Sequence, residues 1–490
     1  MKNLFQDTIV APATIPGTGA ISIVRVSGPD ALRIVDAVVK LKDGTLSAAE
    51  GYTIHYGVIP NAGSVARGDS PVIPSEVEGS LLDEVLLSVF RAPHSYTGED
   101  SVEISTHASS YIVKEVIRLL LAAGARLAEP GEFTRRAFLN GKMDLAQAEA
   151  VADVIASSTS AAHRVAMHQL KGSYSRELSG LRSELLEMAS LLELELDFSE
   201  EDVEFAGREQ LLALLDKTKK HVDSLAASFH QGNLIKNGVP VAIVGPANAG
   251  KSTLLNALVG EDRAIVTDIP GTTRDTLEEC IILGGVQFRF IDTAGLRVSK
   301  DTVEQLGIER SYKAISGAEI VLLVLDGNDN EPALKEQISS VSECLDFSFQ
   351  KLFILLNKAD LEAKNGVNKN VSNINTFVSD INNKVVIIKL SARRHEGLDK
   401  LKNALIDAEK DLISTADATF VTNARHFEAL QNASSALAAC RASLIRGTSS
   451  DLVAEDLRLA LREINAILGT DLLDPDTVLH SIFSRHCIGK

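Results

Sequence analysis

One run, PVAIVGPANAGKSTLLNALVG at residues 240–260, constrains this chain more than any other. An apolar stretch suited to a buried strand meets a glycine-bounded loop and then a helical pattern, the order of a phosphate-cradling loop. In Gly245-x-x-x-x-Gly250-Lys251-Ser252 the glycines let backbone N–H groups approach phosphate oxygens. The helix N-terminus adds its partial positive charge. The expected contacts are Asn248, Ala249, Gly250, Lys251, Ser252 and Thr253, with Lys251 reaching the β/γ oxygens and Ser252 ligating Mg²⁺. Such a unit predicts a doubly wound α/β domain around it.

Three further motifs follow in the right order and fix the ligand class. Asp292-Thr293-Ala294-Gly295 ends the apolar strand VQFRFID; Asp292 is placed for the Mg²⁺ shell and the Gly295 N–H for a γ-phosphate. Asn357-Lys358-Ala359-Asp360 ends the strand KLFILL. The Asp360 carboxylate can accept from guanine N1 and N2, a donor pair that adenine does not offer. Ser391-Ala392-Arg393 follows the strand KVVIIKL and supplies N–H donors for guanine O6. Between the first two motifs, the segment containing Thr267, Asp268, Ile269, Pro270, Gly271, Thr272 and Thr273 stands where the first switch loop belongs, with Thr273 as the second hydroxyl for Mg²⁺. GTP is the implied nucleotide, with Lys251 and Asp292 in the hydrolytic machinery.

Two parts of that machinery are unusual. The position that carries a water-orienting Gln in Ras-type enzymes is Leu296, which has no polar atom. Glu304, in SKDTVEQLGIER, is the nearest candidate to orient water, although a carboxylate in a charged loop also suits plain solvation. Asn248 offers an amide oxygen beside the phosphates. With the carbonyls of Thr267 and Ile269 it could hold a monovalent cation where other enzymes place an arginine; shaping the turn is the competing role.

The remaining chain is multi-domain α/β. At 490 residues there is room for about three domains. Residues 1–140 mix short strand-like runs with Gly and Pro and read as an α+β domain, with 60–80 a surface loop. Residues 141–237 turn to long helices, 238–410 alternate strand and helix as the G domain, and 411–490 return to the helical pattern. This predicts one helical domain built from two segments around an inserted G domain. A net charge of −17 excludes a surface coated for non-specific nucleic-acid binding, so any RNA contact needs a local basic patch or a partner's surface. No apolar run is long enough to span a bilayer and the N-terminal residues lack a secretory pattern, so a cytoplasmic protein without membrane association is expected. The four cysteines form no C-x-x-C pair, against a disulfide framework or a zinc site.

Beyond the G motifs, the chain resembles the MnmE (TrmE) family of tRNA-modification GTPases over essentially its full length. The matching runs include DTIVAPAT at 7–14, IVRVSG at 23–28, SYTGEDSVEI at 95–104, PGEFTRRAFLNGKMDLAQAEA at 130–150 and the terminal CIGK. The resemblance implies an N-terminal tetrahydrofolate-binding and dimerisation domain, a homodimer, and a heterotetramer with the FAD-dependent MnmG (GidA) subunit. Such pairs place an aminomethyl or carboxymethylaminomethyl group on C5 of the wobble uridine of certain tRNAs, drawing one carbon from 5-formyl- or methylene-tetrahydrofolate. By position, it assigns Arg25, Glu103, Lys142 and Lys490 to folate. It assigns Asn248, Thr267, Ile269 and Thr272 to K⁺, Glu304 to the attacking water, and leaves Cys487 as a possible thiol. Two rivals share the G motifs: a ribosome-assembly GTPase and a regulatory switch. The cation reading predicts faster GTP hydrolysis in KCl than in NaCl at equal ionic strength; equal rates in the two salts would remove it.

Overall fold

The computed structural model describes residues 7–61, 81–197, 208–261, 278–291, 313–361, 374, 376–378, 385–410, 419–470, 482–483 and 489. The expected surface loop at 60–80 therefore lies outside the described residues from 62 onward. The chain forms two compact units, Met1–Ala152 with Asn465–Lys490, and Asp153–Ile464.

The first unit is built on seven strands: β1 (Ile9–Pro12), β2 (Ile21–Ser27), β3 (Lys40–Leu41), β4 (Thr53–Pro60), β5 (Leu81–Phe90), β6 (Ser101–His107) and β7 (Arg126–Leu127). Their spatial order is β3-β4-β5-β6-β2-β1-β7, antiparallel throughout except for the β1–β7 pair. The period-2 alternation of ISIVRVS sends Val24 and Val26 to one face, where they pack with Val85, Leu87, Val102 and Ile104. Helices α1 (Ala31–Val38) and α2 (Ser110–Ala122) contribute Leu32, Ile34, Val35, Val116 and Leu120 to that core. The opposite face carries the Arg25–Glu103 register pair and exposes Ile54, Tyr56 and Leu86.

Beneath α3 (Glu132–Leu139) lies a buried ionic network. Arg136, fully buried, donates to the Asp7 backbone carbonyl (3.0 Å), Asp7 Oδ1 (2.8 Å), Glu99 Oε1 (3.1 Å) and Glu132 Oε1 (3.0 Å). Arg126 binds the same Glu132 at 2.6 Å and Asp7 Oδ2 at 2.7 Å. Burial alone would push the Glu132 carboxyl up, but hydrogen bonds from Arg126, the Glu129 N–H and Arg136 outweigh it and hold it below the usual range. Asp7 is held down in the same way by Arg126 and Arg136.

In the second unit, α5 (Ser160–Leu170), α6 (Ser173–Asp197), α7 (Arg208–Ala227) and α8 (Phe229–Asn237) precede a six-stranded sheet; α4 (Leu145–Ala156) ends just inside it. The strands are β8 (Val239–Val244), β9 (Glu279–Leu283), β10 (Val286–Ile291), β11 (Ile320–Asp326), β12 (Lys351–Asn357) and β13 (Val386–Lys389), in the order β13-β12-β11-β8-β10-β9. All pairs are parallel except β9–β10. Residues Ile320–Leu325 are buried without interruption, the apolar run expected of a strand covered on both faces. Helices α9 (Lys251–Glu261), α10 (Glu331–Ser342) and α11 (Leu398–Ala408) surround the sheet, and α12 (Ala424–Arg446) and α13 (Ser450–Leu468) follow it. Helices α7 and α12 pack side by side, joined by Arg441 Nε to Asp216 at 2.6 Å, and Gln169 of α5 donates to the Phe420 carbonyl at 2.8 Å.

No helix among the described residues is long and apolar enough to cross a membrane. Cys440 is a buried thiol, pushed up to about 12 by desolvation.

Replacing Arg136 by Ala strips the largely buried Glu99 of its guanidinium partner and leaves Glu132 with one cation fewer, and a loss of about 3–5 kcal/mol in chemical denaturation of the full chain is expected. Because Glu132 and Asp7 titrate below their ordinary values of 4.5 and 3.8, the network stabilises fully above those values and fades as pH falls through the lowered ones. Glu132→Gln should flatten that acid limb of the stability profile.

Candidate functional site

Strand β8 lies between β10 and β11, the point where the strand order reverses and where doubly wound sheets open a crevice at their C-terminal edge. The glycine loop leaves β8 there. Gly245 has φ +140, and a Cβ on it would collide with the Val324 carbonyl of the neighbouring strand. Gly250, at φ +100, would drive a Cβ into Asn357 Nδ2. Both positions therefore demand glycine for backbone angle and for space. Asn248 is exposed at φ +62, the left-handed region that asparagine tolerates better than most residues. Lys251 Nζ donates to the Gly245 and Pro246 carbonyls at 2.8 and 2.7 Å, and burial pushes its ammonium below the usual lysine range. Ser252 and Thr253 are exposed on the first turn of α9, while Leu254, Leu255 and Leu258 are buried beneath it.

The Asn357–Asp360 turn stands beside this loop. Asn357 is 3% exposed; its Nδ2 donates to the Ala249 carbonyl at 2.8 Å and its Oδ1 accepts the Ala392 N–H at 3.0 Å. One side chain thus joins the phosphate loop to the Ser391–Ala392 turn. Ser391 Oγ donates to Asp360 Oδ1 at 2.7 Å, and that bond is the main cause holding the Asp360 carboxyl below its usual range. Ser391 and Glu396 close their turn with reciprocal backbone bonds of 2.9 and 3.2 Å. Arg393 is exposed on it. Lys358, at φ +62, sends Nζ to Asp326 Oδ2 at 2.7 Å. The structure therefore gathers Asn248, Ala249, Gly250, Lys251, Ser252, Thr253, Asn357, Lys358, Asp360, Ser391, Ala392 and Arg393 along one edge of the sheet. Glu304, Asp292, Thr293, Ala294, Gly295 and the whole 267–273 segment lie outside the described residues.

In the first unit, Arg25 donates to Glu103 Oε1 through Nε at 3.0 Å and Nη2 at 2.8 Å, across the β2–β6 register. Its Nη1 donates to the Gly489 carbonyl at 3.2 Å. The guanidinium also faces the Tyr96 and Phe133 rings, 5.4 and 5.7 Å from their centroids. Lys142 Nζ donates to the Pro93 carbonyl at 2.9 Å, on the loop that carries Tyr96. Lys490 and Cys487 lie outside the described residues.

Sequence reading missed Asp326, Tyr96 and Phe133. A signal for Asp326 was present: like Asp292, it is a carboxylate closing an apolar strand, IVLLVLD. The aromatic pair carried none, because rings in S-Y-T-G and G-E-F-T fit any core.

A parallel sheet with a glycine loop at its switch point, stapled to an Asn-Lys-x-Asp turn, has the construction of a P-loop GTPase domain. Comparison with known proteins takes this further. The family described as GTP-binding protein TrmE N-terminus matches residues 8–142, and the MnmE helical domain matches residues 145–487. A tRNA modification GTPase MnmE of Flavobacterium johnsoniae is 45% identical over 487 residues, covering 99% of both chains. That of Bacteroides thetaiotaomicron is 46% identical over 488 residues, covering 99% of this chain and 100% of its own. The chain belongs to the MnmE family of tRNA modification GTPases.

Asn357→Ala removes the donor to Ala249 and the acceptor of Ala392 at once. Losing buried hydrogen bonds of this kind costs about 1–3 kcal/mol, so guanine-nucleotide affinity should fall roughly 5- to 150-fold in fluorescence titration.

Proposed function

We propose that the chain binds and hydrolyses GTP with Mg²⁺ and couples hydrolysis to modification of C5 of the wobble uridine in certain tRNAs. The observation carrying this reading is the Asn357 staple and ionised Asp360 in a chain 45–46% identical, end to end, to proteins named tRNA modification GTPase MnmE. Asp360 accepts from guanine N1 and N2, with Ser391 holding the carboxylate in place. With the Ser391 and Ala392 N–H groups engaged by Glu396 and Asn357, Arg393 supplies the N–H donor of this turn to O6. Lys251, whose ammonium already rests on oxygen ligands, exchanges loop carbonyls for β/γ-phosphate oxygens.

The exposed Ser252 hydroxyl on the first turn of α9 suits Mg²⁺, with Thr273 and Asp292 completing its shell; the ion would neutralise charge on the phosphates. Asn248, with Thr267, Ile269 and Thr272, would hold K⁺, and Glu304 would orient the attacking water.

A one-carbon tetrahydrofolate would be held by Arg25, Glu103, Lys142 and Lys490, supplying the transferred carbon. The site fits such a ligand: a partly open guanidinium–carboxylate pair lies against an aromatic ring, suited to a pterin edge and face and to a glutamate tail. Cys487 belongs to the same tail. We assign 1–140 to folate binding and dimerisation, 238–410 to the G domain, and 141–237 with 411–490 to one helical domain. The α7–α12 pairing and the Gln169–Phe420 bond support that last grouping. Exposed Ile54, Tyr56 and Leu86 on the sheet face of the first unit support a homodimer. A cytoplasmic heterotetramer with an FAD-dependent MnmG subunit completes the reading.

Nucleoside mass spectrometry of bulk tRNA tests it. Cells without the protein should lose 5-aminomethyl-type wobble uridines, and wild type but not Asp292→Ala should restore them. An unchanged nucleoside profile would leave GTP hydrolysis standing and defeat the tRNA reading.

A further inference from the structure

We propose that Asp326 is a positioning residue of the nucleotide site, anchoring the Lys358 ammonium and thereby fixing the turn that presents Asp360. The inference rests on the GTP reading above and deepens it. Asp326 is the last residue of β11, and its register partner on β12 is Asn357. Its two carboxylate oxygens serve different partners. Oδ2 accepts Lys358 Nζ at 2.7 Å, while Oδ1 accepts the Asn328 N–H and Asn328 Nδ2, each at 3.0 Å. The carboxylate is therefore locked by its own loop before it holds the lysine. The backbone is tied as well, since Gly327 N donates to the Asn357 carbonyl at 2.9 Å.

Lys358 needs such an anchor. Its φ of +62 is one that lysine rarely adopts, and it sits between two residues with separate duties, the buried Asn357 and the acidic end of the turn. A four-carbon side chain without a fixed partner would sample many rotamers. Pinned to Asp326, it lies across the C-terminal ends of β12 and β11. The Val324 carbonyl, two residues before Asp326, is the wall against which Gly245 of the phosphate loop packs. The ion pair thus ties the base-reading turn after β12 to the end of β11, the strand that backs the phosphate loop. Both side chains are partly exposed, 31% and 23%, so the pair contributes orientation more than global stability. Desolvation pushes the Asp326 carboxyl up, but Lys358 and Asn328 more than offset it, which keeps the anchor charged at neutral pH.

The test is a double-mutant cycle in the full-length chain: Asp326→Ala, Lys358→Ala, the double variant and Asp326→Asn. Each is titrated with N-methylanthraniloyl GDP and assayed for KM and kcat with GTP. Asp326→Ala should weaken GDP binding and raise KM about tenfold, with kcat at saturation changed less than about twofold. Lys358→Ala should do as much, and the double variant should be no weaker than Lys358→Ala. Asp326→Asn, which keeps an acceptor but not the charge, should fall between wild type and Asp326→Ala. Binding by Asp326→Ala within twofold of wild type, or losses that multiply in the double variant, would overturn the proposal. If Asp326→Ala does not fold, as judged by its thermal midpoint, Asp326→Asn and its own double variant with Lys358→Ala are held to the same multiplication criterion. Wild type failing to bind guanine nucleotide at all would instead bring down the GTP reading.

Discussion

Everything at the nucleotide edge hangs on one buried primary amide. Asn357 spends both of its hydrogen-bonding ends on backbone, donating to Ala249 and accepting from Ala392. Three segments far apart in sequence thereby share one rigid reference: the phosphate loop after β8, the turn after β12, and the Ser391 turn after β13. Because the amide is buried, neither end can fall back on water, so the three loops hold their spacing together or lose it together. The glycine at 250 completes the constraint, since a side chain there would occupy the space that the amide fills.

The first unit solves a different problem with charge. Arg136 is surrounded by Asp7, Glu99 and Glu132, which places the segment leading into β1, the 93–99 loop and α3 in one ionic cluster. Ser27 Oγ extends it, donating to Glu99 Oε2 at 2.8 Å and tying in the end of β2. That loop also carries Tyr96, whose hydroxyl pairs with Thr134 Oγ1 at 2.8 Å and whose ring faces Arg25. A wholly buried guanidinium thus supports, through a loop, the partly exposed one that the family resemblance assigns to ligand binding. Breaking the inner cluster would loosen the outer one without touching it.

The nucleotide loops were readable from sequence because each sits at the end of an apolar strand and uses residues with few other reasons to occur together. Gly245, Gly250 and Lys251 in one loop, or Asn357, Lys358 and Asp360 in one turn, carry their geometry in local order. What was not readable depends on register between strands. Asp326 and Lys358 are 32 residues apart, and Arg25 and Glu103 are 78 apart; only the sheet order brings them together. Burial of charge was equally hidden. In T-R-R-A-F nothing separates the two arginines, yet Arg136 is fully buried while the Arg135 side chain is 22% exposed. Helical phase against Phe133, Ala137 and Glu132 makes that choice, and phase requires knowing which face meets the sheet.

Asn248 meets two unrelated demands with one residue type. Its backbone sits in the left-handed region, which glycine enters freely and asparagine tolerates, whereas β-branched residues are excluded. Its amide, exposed beside the phosphate loop, is a separate chemical asset. Glycine therefore keeps the bend while deleting the amide, and aspartate keeps the shape while changing its charge. Asn, Asp and Gly at this site share access to the bend and differ in the side chain, so backbone and side-chain contributions there can be varied separately.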